Sequence, residues 1–429
     1  MMQAPSLHDV AEQALAQMRA AGFEQAQVTA GHTQLNELNV NHNEPSLLRS
    51  TDSRKLSLMG IVHGRMASTE VADLDPEAVR IRIAGLFADA ASAPQDPANA
   101  VSSGQSKRIV KGPQEPQLDL LAGKMSELLE FRVRETPKMT IEAADAKHTL
   151  YQWQTLTTGG SALGGSVGWY GMMVEGGARE GKAVSSLNYA YGAADDLQIG
   201  PAHAHFGIGE MMRETEHQIH ARPLGEKFVG DVVLSPHAVA SLLGWLQGQL
   251  GDVQLIAGSS LFRESVGQAI AAPLLSLRSR FDAPGVAPVS PDGFIAPSVD
   301  VVRNGVLQTL TPSLYGSRKT GLPHVATAAS GWEIAAGETP REQLVAGVHR
   351  GAVVGQFSMG NPAANGDFSG VIKNSFVIRD GAVGAALSEC MVTGNMARML
   401  RDIAGVSRER IDTGGLLLPW IRISNLHFS

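Results

Sequence analysis

Cysteine is nearly absent. Cys390 is the single one in 429 residues, so no intrachain disulfide framework can form. Excess positive charge is missing too: 35 Lys and Arg against 42 Asp and Glu leave a net charge of −7, without the basic footprint of a nucleic-acid binder. No run of about eighteen apolar residues occurs, so no membrane-spanning helix is expected. The opening MMQAPSLHD lacks the charged and apolar regions of a signal peptide. Aromatic residues are few, at 5%. These absences describe a cytoplasmic protein with no membrane and no nucleic-acid partner.

Glycine, by contrast, is abundant, with 47 residues, which suits turn-rich β structure with close backbone approaches. Hydrophobic residues at 43% and charged residues at 18% suit a globular chain. The length exceeds what one ordinary core fills. An α+β fold in three units is expected: an N-terminal α+β unit over 1–98, a middle α+β unit over 112–222, and a β-rich C-terminal unit over 228–429.

In the first unit, Ser6 and Asp9 frame a capping box before a helix with Leu7, Val10, Ala11, Ala14, Leu15 and Met18 on one face. Strands follow over 25–29, 35–40 and 56–62. Asp75-Pro76 opens a second helix. Residues 91–116 show no periodicity and read as a linker. A helix over 118–133 begins the second unit. Strands at 139–143, 150–156, 167–174 and 183–191 come next, and then a helical stretch over 201–221. In the third unit Asn304-Gly305 and Asp380-Gly381 mark hairpins. The closing Leu416–Leu426 reads as an apolar strand, and Pro419 places it at a sheet edge.

One stretch organises the rest: Gly230–Leu250, GDVVLSPHAVASLLGWLQGQL. Val232-Val233-Leu234 reads as a buried strand, Ser235 as an N-cap and Pro236 as the first helical residue. Val239, Leu242, Leu243, Leu246 and Leu250 share one helical face. The other side is expected to carry Gly244, Trp245, Gly248 and Gln249.

This strand–helix unit resembles the TldD/PmbA family, whose catalytic subunits carry a metallopeptidase motif, His-Glu-x-x-x-His, on the equivalent helix. Aligned on SLL and the following GSSLF, the first His falls on Gly244, the Glu on Trp245 and the second His on Gln249. Gly248 matches the glycine before that His. Further stretches resemble the family in the same order. These are AEQALAQMRAAGFEQAQV, LSLMGIVHGRMAST, DGFIAPSVDVVRNGVLQTL and, most specific, GDFSGVIKNSFVIRDGAVGAALSECMVTGNM. Catalytic members add a cysteine ligand near the C-terminus, where Ile411–Trp420 holds none.

The resemblance implies a PmbA/TldE-like, non-catalytic subunit. It would have no metal or other cofactor of its own, would pair with a TldD-like metallopeptidase, and would act on unfolded peptides in an oligomer. Two other classes stand beside it: an independent binding or regulatory protein that modulates another machine, and a hydrolase with a rebuilt site.

The residues offer few ingredients for such a rebuilt site. His203-x-His205 and His217-x-x-His220 are the closest histidine pairs, and Glu214 or Glu216 could approach the second. An exposed polar helix end is the plainer reading. Ser161, in Gly-Gly-Ser-Ala-Leu-Gly, lacks the glycine spacing of a nucleophile elbow and reads as a hairpin loop. Gly258-Ser259-Ser260 could cradle an anion, but no Walker lysine follows. Trp245 either fills the vacated metal pocket or simply packs. Cys390 reads as a small buried apolar residue.

Overall fold

A computed structural model describes residues 5–388 and 390–429; the first four residues of the opening segment and Glu389 of the SEC triplet lie outside it. Ser6 caps helix α1 (Leu7–Ala20) with the expected reciprocal box: the Asp9 amide donates to Ser6 Oγ at 3.1 Å, and Asp9 accepts from the Ser6 amide. The chain then runs through three antiparallel strands, β1 (Gln25–Asn41), β2 (Glu44–Val62) and β3 (Arg65–Val71), and returns along helix α2 (Pro76–Ser92). Strand β4 (Ser106–Lys111) leads to helix α3 (Leu118–Glu135). Two strands of 19 residues follow, β5 (Met139–Thr157) and β6 (Ala162–Glu180), then the short β7 (Ala183–Val184) and β8 (Asn188–Ala194).

All of these strands lie in one sheet of order β3-β2-β1-β5-β6-β4, with β7 and β8 also on β6. The strands of 1–98 and 112–222 are therefore neighbours, and β1 pairs with β5 from Gln27 to Asn41. The stretch over 91–116 is no simple linker, because β4 pairs in parallel with β6. Glycines on β6 permit that approach. A Cβ at Gly165 would lie 1.7 Å from the Ile109 carbonyl oxygen, and one at Gly168 equally close to that of Pro113. One face of β1 switches partner along its length. Ala26, Val28 and Ala30 pack with α1 and α2, whereas Val40 packs with Leu121, Met125 and Leu128 of α3. Between them His32 bridges Asp52 at 2.8 Å and Gln152 at 3.2 Å.

Helix α4 (Ile208–His217) precedes strand β9 (Phe228–Leu234) and helix α5 (Pro236–Leu250). Strand β9 sits inside a second, 13-stranded sheet, between Arg350–Val354, which is parallel to it, and Leu416–Phe428, which is antiparallel. Leu416–Phe428 is thus an interior strand, not the edge that Pro419 suggested. Pro419 sits opposite Arg410, where an irregularity in the pairing accommodates a residue with no N–H. Asn304 and Gly305, both at positive φ, make the expected hairpin turn. The largest core cluster joins Val239, Leu242, Leu243, Leu246 and Leu250 of α5 to Val232, Leu234, Ile421 and Ile423 of the sheet. Lys111, at the end of β4, ties the sheets together. Its Nζ donates to the carbonyls of Phe281 (2.9 Å), Ala283 (2.5 Å) and Val286 (3.2 Å), and burial pushes its pKa down.

Candidate functional site

Ser235 joins β9 to α5. Its Oγ accepts from the Ala238 amide at 3.2 Å and donates to the Gly355 carbonyl at 2.7 Å, so one hydroxyl caps the helix and fixes it to the neighbouring strand. On the helix the four motif positions separate into two pairs. Gly244 and Gly248 are exposed, and a Cβ on either would meet nothing within 4 Å. Trp245 and Gln249 are buried, at 8% and 1% exposure. The expectation of a tryptophan on the open side is therefore corrected. Apart from its glycine stripe and some part-buried positions, α5 is covered, and Trp245 belongs to the main core cluster.

Trp245 packs edge-on against Phe262, with centroids 6.1 Å apart, and touches the 366 turn: a Cβ at Gly366 would lie 3.1 Å from Trp245 Cζ2. Gly366 sits at φ +90°, which favours glycine on backbone grounds as well. Gln249 acts as a strut. Its Nε2 donates to the Ala364 carbonyl at 3.0 Å and its Oε1 accepts from the Leu261 amide at 2.9 Å. The position aligned with the second metal-binding His thus pins two loops to one helix. Asn395 closes the 366 turn from outside, donating to Asp367 at 2.8 Å and to the Asn365 carbonyl at 2.9 Å.

The other candidates are not brought together. His220 pairs with Glu180 at 2.7 Å, Glu216 accepts from the Lys138 amide, and Glu214 turns the opposite way. His203 stacks on Phe131 at 4.2 Å, and His205 meets the Leu197 carbonyl at 3.2 Å. Among the described residues no group of three His, Cys, Asp or Glu side chains is placed to hold a metal ion. Ser161 is buried against Ser102 and the Gln105 amide, with no histidine among its hydrogen-bond partners. Gly258 and Ser259 end a short helix, Ser259 bonding Gln254. Cys390 is buried, which pushes its thiol pKa up.

A cleft that the sequence reading missed opens at the N-terminal end of α5, between the two sheets. It holds about 130 Å³ and is lined by β8, α4, the start of α5 and, around the turn that joins strands Ile403–Asp412 and Leu416–Phe428, by Ile411, Thr413, Leu418 and Trp420. His237 and Tyr189 meet across it at 3.1 Å, and burial pushes the imidazole down and the phenol up. Glu210 and Glu214, one turn apart on α4, share a single guanidinium: Arg341 pairs with Glu210 and stands 3.8 Å from Glu214. Arg341 also lies over the Trp420 ring at 4.5 Å. Glu214 keeps 28% of its side-chain surface, but it lines the cleft. Burial first, then the Glu210 carboxylate, push its pKa up to about 8 against the pull of Arg341. The only sequence hint was Glu214 itself, considered beside the wrong histidine.

Residues 228–429 match the family model described as PmbA/TldA metallopeptidase C-terminal domain. That stretch, just under half of the chain, is similar to the PmbA/TldD family. Over 204 residues it is 25% identical to Metalloprotease PmbA of Escherichia coli O157:H7. That alignment covers 45% of each protein, so under half of the curated relative's length is matched. Solved structures share the fold across nearly the whole chain. TldE of Thermococcus kodakarensis superposes with TM-score 0.82 at 18% identity, covering 98% of this chain and all of that one. A candidate modulator of DNA gyrase from Bacteroides thetaiotaomicron VPI-5482 does so with TM-score 0.84 at 19% identity, covering 98% of each. The PmbA/TldD resemblance thus rests on residues 228–429 in sequence, and across the rest of the chain the solved structures share the fold alone. No helix among the described residues is long and apolar enough to cross a membrane.

Proposed function

We propose that the chain is a non-catalytic, PmbA/TldE-like subunit of a TldD/PmbA-type peptidase. It shapes the assembly and supports a TldD-like partner's active site during cleavage of unfolded peptides in the cytoplasm. One observation carries this reading: the motif positions have been absorbed into the structure. Trp245 is core, Gln249 is a strut between loops, and Gly244 carries no side chain. A catalytic zinc needs several converging ligands and an open position; a buried glutamine with both polar atoms engaged offers neither. Elemental analysis of untagged protein, purified without chelator, tests it. The expected result is no stoichiometric transition metal, together with co-purification of a TldD-like chain from the native cell. One tightly bound zinc or iron per chain would overturn the reading.

A further inference from the structure

The cleft between the sheets contains a buried acceptor without a donor. Asn374 is 3% exposed and lines the cleft; its Nδ2 donates to the Leu187 carbonyl at 3.4 Å, but its Oδ1 has no hydrogen-bond partner. Buried amide oxygens are rarely left so, because the lost hydration is not replaced. Asn374 sits at φ +50°, a left-handed backbone that fixes where its side chain starts. Gln218, one turn beyond Glu214, donates to the Ser375 carbonyl at 2.9 Å. The orphan acceptor is thereby tied to the helix that carries the two glutamates.

Charge and shape point the same way. Two carboxyl groups share one guanidinium, so Glu214 keeps its proton near neutral pH and would give it up to become a counter-ion when a second cation enters. Tyr189 and Tyr191, stacked with centroids 6.2 Å apart, supply aromatic surface beside it. Surplus acceptors, an acid that can become a counter-ion and aromatic walls suit a donor-rich monocation on an apolar stem. A carboxylate or phosphate would compete with both glutamates for the one guanidinium.

We propose that this cleft binds a primary alkylammonium, with Glu214 as its counter-ion and the Asn374 amide oxygen as a second acceptor. The group comes either from a lysine side chain of an extended peptide or from a free diamine. The proposal does not depend on whether the chain has a catalytic partner, so the two can fail separately.

Calorimetry on the full chain tests it with three probes: a blocked Ala-Lys-Ala peptide, its norleucine counterpart, and 1,4-diaminobutane. At least one amine should bind saturably, one per chain, with the norleucine peptide at least about tenfold weaker than its lysine twin if the peptide is the source. Binding of the lysine peptide alone assigns the site to peptide side chains; binding of the diamine alone assigns it to small amines. Glu214→Gln should weaken the amine about tenfold or more while leaving the circular dichroism spectrum unchanged. Asn374→Gly, which keeps the left-handed backbone, should weaken it too, and it serves as the probe if Glu214→Gln does not fold. Equal binding of lysine and norleucine peptides without diamine binding would overturn the proposal. So would no amine binding at millimolar concentration, or unchanged affinity in the folded variants.

Discussion

Rebuilding the family motif is the sharpest perturbation available. The triple change Gly244→His, Trp245→Glu, Gln249→His supplies two imidazoles and a carboxylate on one helix. The three parts carry different costs. Gly244 is exposed with open space around it, so a histidine there gains a few tenths of a kcal/mol of helix propensity and strains nothing. Replacing Trp245 empties a well-packed core position, about 3–5 kcal/mol, and sets a carboxylate beside Phe262. Replacing Gln249 leaves the Leu261 amide and the Ala364 carbonyl unpaired, about 1–3 kcal/mol each.

Trp245 and Gln249 both touch the 261–262 turn, so these costs are not independent. Together they reach at most roughly 5–11 kcal/mol, comparable to the whole stability of an ordinary domain, about 5–15 kcal/mol. The triple variant should therefore lose most of its urea resistance, followed by far-UV circular dichroism, and should neither hold stoichiometric zinc nor hydrolyse unfolded peptide. Gly244→His alone should match the parent within about 0.5 kcal/mol. A triple variant with the parent's unfolding midpoint and one zinc per chain would refute the argument, because it would show that the tryptophan and the strut are dispensable.

Three further outcomes follow from the geometry. Lys111→Met leaves three carbonyls of the 281–286 loop without their donor, and hydrogen exchange should speed in that loop while β1 and β5 stay protected. Gly366→Ala puts a Cβ at φ +90° and 3.1 Å from Trp245, and should cost about 1–3 kcal/mol in chemical denaturation. Glu214 has its folded pKa raised from the usual glutamate value of 4.5 to about 8, so its stabilising contribution is complete below the ordinary glutamate range and is lost as pH rises through about 8. Parent stability relative to Glu214→Gln should therefore fall between pH 5 and pH 9, seen by melting both proteins across that range; a pH-independent difference would contradict the raised pKa.

Where sequence signals are local, they were legible. The Ser6 box, the Ser235 cap with Pro236, and the Asn304-Gly305 hairpin each act within a few residues and appear as read. The C-terminal family resemblance was equally readable from ordered stretches over 228–429. What failed to show was set by distant partners. Strand β1 looked like two short strands because one face turns from the α1–α2 layer to α3, with the polar His32 bridge between, so no single alternation runs its length. Strand β4 was hidden because its partner is rich in glycines, which signal turns as readily as close packing. Trp245 was placed on the open side because the apolar stripe of α5 left a polar remainder, whereas loops distant in sequence cover that side too. The cleft needs residues from 188 to 420, and no spacing rule joins them.

The order of strands in the first sheet also sets a timetable. Thr29 of β1 bonds Thr155 of β5 across 126 residues of chain. During synthesis at roughly 5–20 residues per second, β1 to β3 can pair as soon as they emerge, but β1 keeps one edge open until β5 arrives several seconds later. An open edge of 17 residues is a template for any other nascent strand. Slow translation between α2 and β5 would lengthen that exposure, and the yield of soluble protein would follow the speed of the ribosome over this stretch more closely than the stability of the finished fold.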